Sequence, residues 1–120
     1  MTQHKNIFSA LAAAQMEMGA ATKGAVNPHF KSKYADLAAI VDAAAPALNK
    51  HGIAFFHVAS SGELGHAMTT VLHHGESETS VECSVPLILG KQDMQGYKSA
   101  TTYAKRIGLE SLTGIAPEDD

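Results

Sequence analysis

The chain has a single cysteine, no tryptophan, four prolines and only 6% aromatic residues in 120 positions. With Cys83 alone there is no disulfide framework and no thiolate-held metal cluster, and one thiol fits a reducing, cytoplasmic setting. No run approaches the roughly 18 apolar residues a spanning helix requires, so no membrane partner is expected. The N-terminus has no charged stretch followed by an apolar one, so no secretory signal is expected. The Gly-Lys pair Gly90-Lys91 has no upstream glycine at nucleotide-loop spacing, so ATP hydrolysis is not expected. Seven histidines are present, but none forms a His-x-x-x-His pair. His73 and His74 are adjacent and would face opposite sides of a strand. No metal and no cofactor are therefore expected. Cys83 has no flanking base and reads as a small inward-packing residue.

What is present describes an ordinary globular chain, with 45% hydrophobic and 18% charged residues. Its length suits one domain with a core of its own. The net charge is -3, which argues against a generally basic nucleic-acid binder. Three acidic residues, Glu118, Asp119 and Asp120, end the chain, and the rest is neutral. The boundary expected is a core over 1–117 and an acidic tail over 118–120. Basic residues cluster at Lys31 and Lys33 and again at Lys98, Lys105 and Arg106. Screening makes phosphate binding depend on such local stripes more than on the total.

Periodicity predicts a helix over 6–22 from Ile7, Leu11, Ala14 and Met18, then a loop opened by Asn27-Pro28. Asp36 is placed to cap a second helix over about 37–50, which Pro46 should kink or divide and Gly52 should close. The period then falls to two. Strands are expected over 53–60, 66–74 and 77–85, as an antiparallel meander with one polar face. Residues 87–97 read as a connector. Ser99 is placed to cap a last helix over about 100–113, with Tyr103 and Ile107 packed inward. The class is α+β, in the order α-α-β-β-β-α, with the helices on one face of the meander.

Within the loop, Asn27-Pro28-His29-Phe30-Lys31-Ser32-Lys33-Tyr34 interleaves aromatics with lysines. That combination suits a single strand of nucleic acid, whose bases stack and whose phosphates need neutralising. The segment runs on through Ala35-Asp36-Leu37. The later segment Ser99-Ala100-Thr101-Thr102-Tyr103-Ala104-Lys105-Arg106 follows Gln95-Gly96-Tyr97-Lys98. Together these resemble the two signatures of the Erf family, the "essential recombination function" single-strand annealing proteins of phages. The likeness covers residues 5 to 117. It departs from the family pattern where Tyr97-Lys98 separate Gly96 from Ser99, and where Ile107-Gly108 replace a Tyr-Ala pair. The acidic tail also stands where family members commonly continue into a C-terminal region.

The resemblance implies a protein that coats single-stranded DNA and anneals complementary strands without ATP, not an enzyme. It implies a homo-oligomeric ring or helical filament, with a core similar to the β-β-β-α core of eukaryotic strand-annealing proteins. Further partners implied are a host or phage single-stranded DNA-binding protein or an exonuclease. The phosphate candidates are Lys31, Lys33, Lys98, Lys105 and Arg106. The aromatic candidates are Phe30, Tyr34 and Tyr97, with Phe30 and Tyr34 each divided between base stacking and the core. Lys91 and Thr102 complete the candidate DNA-binding set. Arg106 could instead pair with Asp36, Asp93 or Glu110, since its fork suits either role. Two other readings compete: a module of the same fold that assembles without annealing, and a small enzyme using histidine acid–base chemistry.

Overall fold

The computed structural model describes residues 3–19 and 36–116. Its elements run α1 (Ile7–Gln15), α2 (Leu37–Lys50), β1 (Ile53–Gly62), β2 (Gly65–His74), β3 (Thr79–Pro86) and α3 (Met94–Thr113). This is the α-α-β-β-β-α order expected. The strands form one antiparallel sheet in the order β1-β2-β3. The Phe30 to Tyr34 stretch lies outside the described residues, as does the acidic tail.

Each helix begins where a side chain can satisfy its unpaired amides. The Asn6 carboxamide oxygen accepts from the amides of Phe8 and Ser9, both at 3.0 Å. The Ile7 amide is satisfied by the sheet instead, donating to Thr79 Oγ1 at 2.7 Å. Asp36 caps α2 as expected, accepting from the Ala39 amide at 2.9 Å. Gly52 follows α2 at a φ of 74°, the left-handed geometry that glycine adopts without strain. Pro46 neither divides α2 nor ends it. One amide is lost there, but buried Ala44, Ala47 and Leu48 flank the proline and hold the helix against the sheet. Helix α1 is shorter than its periodicity suggested, ending at Gln15.

The last helix departs most from expectation. It starts at Met94 rather than 100, capped by Asp93, whose carboxylate accepts from the Gly96 amide at 2.8 Å. Ser99 is inside the helix, and Tyr97 and Lys98 lie on its first turns. Its C-terminal end is tied to α1: the Gln15 side-chain amide donates to the Thr113 carbonyl at 2.8 Å. Gly114 ends it at a φ of 80°.

Alternation in the strands sorts the two faces of the sheet. Phe55, Leu72 and Val81 share one row, as do His57, Thr70 and Cys83. That face carries all three helices. One core joins Ile7, Ala10 and Ala14 of α1, Ile40, Ala44 and Leu48 of α2, Ile53 and Leu72 of the sheet, and Leu109 of α3. A second, smaller core packs Ala100 and Ala104 on Met68 and Leu87. On the other face, His73 shares a hydrogen bond with Ser80 at 2.6 Å, and Thr69 with Ser84 at 2.7 Å. Phe56 and Val58 are exposed there. His73 and His74 face opposite sides, as adjacency on a strand demands.

Helix α3 approaches the sheet closely where its residues are smallest. A Cβ added at Gly108 would sit 2.2 Å from Thr70 Oγ1 and 2.8 Å from Thr70 Cβ. Alanine normally favours a helix over glycine by about 1 kcal/mol, but here it has no space. Gly108→Ala is expected to lower stability by about 1–3 kcal/mol, the usual cost of overpacking. A urea-denaturation midpoint at or above that of the unsubstituted protein would contradict this close approach.

Candidate nucleic-acid interface

The small residues that seat α3 decide what it shows to solvent. Ala100, Ala104 and Gly108 recur at steps of four, with Thr101 beside them, and all four are buried. The opposite face then presents Lys98, Thr102 and Arg106, spaced four apart and therefore in one line along the helix. Lys98 and Thr102 are exposed. The Thr101 and Thr102 hydroxyls both donate to the Lys98 carbonyl, at 2.9 and 3.0 Å. Arg106 is more covered. Its Nε lies 3.6 Å from Glu110 Oε2, and its guanidinium sits 5.3 Å from the centre of the Tyr103 ring. Glu110, one of the acidic partners foreseen for Arg106, thus stands beside it.

The other expected residues are not all on this line. Lys105 is half-buried, and its charge reaches His57 on the sheet. Burial, with Lys105 second, pushes the His57 imidazole below its ordinary pKa. His57 Nδ1 shares a hydrogen bond with the buried Thr70 hydroxyl at 2.8 Å. Tyr97 is half-buried against the smaller core with Met68 and Leu87, which leaves it less ring surface to offer a base than a loop tyrosine would have. Lys91 is exposed in the loop before α3, at the mouth of the helix. Lys31, Lys33 and Tyr34, the other expected DNA-binding residues, lie outside the described residues together with Phe30. The structure therefore brings Lys98, Thr102 and Arg106 together, with Lys91 near the start of the same helix.

Tyr103 was expected to pack inward with Ile107, and this is corrected. The ring is 60% exposed and Ile107 is 43% exposed. The missed signal was the run of small residues: a helix seated on Ala, Thr and Gly turns its larger side chains outward. Beside Tyr103 lies an open depression of about 420 Å³, lined by Ile88, Gly90, Lys91, Gln95, Gly96, Ser99, Ala100 and Tyr103. Its wall is tightly built. A Cβ on Gly96 would fall 2.1 Å from the Lys91 carbonyl oxygen, so only glycine lets the loop lie against the helix.

A separate polar cluster lies where α2 ends. His4 and His51 share a hydrogen bond of 2.9 Å, and His51 also contacts Glu17. Lys50 meets Glu17 at 2.6 Å, and this ammonium, with His51 second, holds the Glu17 carboxyl below its usual range. Among the described residues no group of three His, Cys, Asp or Glu is placed to hold a metal ion. Among them, too, no helix is long and apolar enough to cross a membrane.

A family model described as the ERF superfamily matches residues 7–120. Neither a curated protein nor a solved structure matches the chain.

The His57 environment fixes a sign for pH dependence. Its folded pKa lies below its unfolded one, so the unfolded chain binds more protons between the two. The resulting stability is full above the ordinary histidine pKa of 6.5 and is lost as pH falls through the lower folded value. An NMR titration should show His57 protonating below 6.5. A midpoint at or above that value would mean that Lys105 and burial do not act on it.

Proposed function

The chain belongs to the ERF superfamily, and from that membership we propose that it binds single-stranded DNA and anneals complementary strands without ATP. The setting is phage homologous recombination, and the working form is a ring or helical homo-oligomer in the cytoplasm of the bacterial host. A phage or host single-stranded DNA-binding protein, or an exonuclease, is the proposed further partner. No step in this activity requires covalent chemistry. It requires phosphates held while base edges stay free to pair.

The observation that supports this reading most directly is the line Lys98, Thr102 and Arg106 on α3, in which Lys98 and Thr102 are exposed and Arg106 is half-buried beside Glu110. Lys91, Lys98, Lys105 and Arg106 are four of the nine basic residues in the sequence, and all four fall on α3 or the loop before it. Lysine on phosphate provides affinity without sequence preference. The nearby carboxylates are already engaged: Asp93 caps the helix and Glu110 lies beside Arg106. A neutral chain can therefore present a locally positive ridge, and many copies sharing one strand turn a weak grip into a strong one.

Titration of the protein with a labelled oligonucleotide at several salt concentrations tests this. Affinity should fall steeply with salt, and Lys98→Ala should reduce the log–log slope by about 0.7, the share of one phosphate contact on a single strand. A gel assay with complementary oligonucleotides should show annealing without nucleotide. Absence of binding at low salt, with an assembled sample, would end the proposal.

A further inference from the structure

We propose that the depression between the 87–93 loop and the first turns of α3 is a slot for one nucleobase of a single strand, with Tyr103 as its stacking face. This rests on the single-strand reading above and adds to it a place where a base, rather than a phosphate, is held.

The lining supports a flat, uncharged ring flanked by anionic groups. Tyr103 offers an exposed aromatic face, and Ile88 an apolar side chain that is 83% exposed and so not used in the core. Gln95 and Ser99 contribute an amide and a hydroxyl, groups able to hydrogen-bond a base edge without demanding one sequence. Lys91 is the one charged residue in the lining, and no carboxylate joins it among the described residues. Lys98 lies on the neighbouring turn of the exposed ridge. A base in the slot would thus have the Lys91 ammonium at hand for a neighbouring phosphate.

Both walls are held in place before any ligand arrives. The loop wall is pinned where the Lys91 carbonyl lies against Gly96, a contact with no space for a Cβ. The helix wall is set by Arg106, whose guanidinium lies over the Tyr103 ring at 5.3 Å. A cation over one face orients the ring. At about 420 Å³ the depression falls toward the small end of ligand-sized clefts, which run from ~300 to 1,000 Å³. It is open, as a site on a continuous strand must be. Its chemistry matches the sequence-tolerant stacking platforms of single-strand binders, where every base has a π-face to offer.

The test compares a short thymidine oligonucleotide with an abasic oligonucleotide of the same length, by fluorescence anisotropy at fixed salt. The unsubstituted protein should prefer the base-containing strand. Tyr103→Ala should weaken its binding by roughly 5- to 150-fold, the range for losing one base–aromatic stack, and should remove most of the preference over the abasic strand. Tyr103→Phe should keep both. The salt slope should not change in Tyr103→Ala, because no charge is removed. Circular dichroism should be unaltered, since the ring is mostly solvent-exposed. Equal affinity of Tyr103→Ala and the unsubstituted protein for the thymidine strand overturns the slot while leaving strand binding intact. Loss of preference in Tyr103→Phe also overturns it, since the phenyl face alone should suffice. If the unsubstituted protein binds neither oligonucleotide, the single-strand reading itself fails and the slot with it.

Discussion

The contact between Gly108 of α3 and Thr70 of β2 sets the geometry of the rest. A helix lying on a sheet usually stands off by the depth of its side chains. Here one position has none, and a strand threonine occupies the space a Cβ would take. The threonine is fully buried, so its hydroxyl needs a partner, and His57 on the adjacent strand supplies one. Backbone approach and polar satisfaction are therefore one constraint, and the His57 that completes it is held below its ordinary pKa by burial, with Lys105 second. The same approach fixes the rotation of α3 about its axis, and that rotation decides which residues meet solvent.

The helices are joined to the sheet and to one another at their ends as well as by their faces. The first amide of α1 is satisfied by Thr79 of β3, and the last carbonyl region of α3 by Gln15 of α1. Residues far apart in the chain thus complete each other's helix termini. The alanine-rich faces of α1 and α2 allow close packing on Ile53 and Leu72, but bury little area per residue. Larger side chains such as Ile7, Ile40, Leu48 and Leu109 carry most of the apolar burial. This also explains why Pro46 leaves α2 in one piece: burial on both sides of it offsets one missing hydrogen bond.

Charge follows the same logic of position over total. An acidic formal balance would argue against nucleic acid if charge were spread evenly. It is not, because two nearby carboxylates are occupied by a cap and by Arg106, while Lys91 and Lys98 remain at the surface. The slot beside Tyr103 and the ridge through Lys98 share one helix, so a strand following the ridge would pass the slot. Lys105, one of the phosphate candidates, is half-buried, and its charge also reaches His57.

The sequence alone determined the element order, the strand faces, the Asp36 cap and the Gly52 stop, and its two signature segments pointed to the family. These are local properties: period, capping chemistry and left-handed glycine geometry act over a few residues. It also set Lys98, Thr102, Lys105 and Arg106 on one helix, and the four-residue step from Lys98 to Thr102 to Arg106 aligns those three side chains on any helix. Tertiary structure decided what depends on a partner distant in the chain. The Asp93 cap that lengthens α3 is itself local, but the packing of Tyr97 on Met68 and Leu87 is not. Tyr103 turns outward because Ala100, Ala104 and Gly108 lie against the sheet. The run of small residues is legible in the sequence, but whether it or the Tyr103 face meets the sheet is not. That outcome depends on how closely α3 can approach β2, and the approach is set by an absent Cβ meeting a threonine 38 positions earlier in the chain.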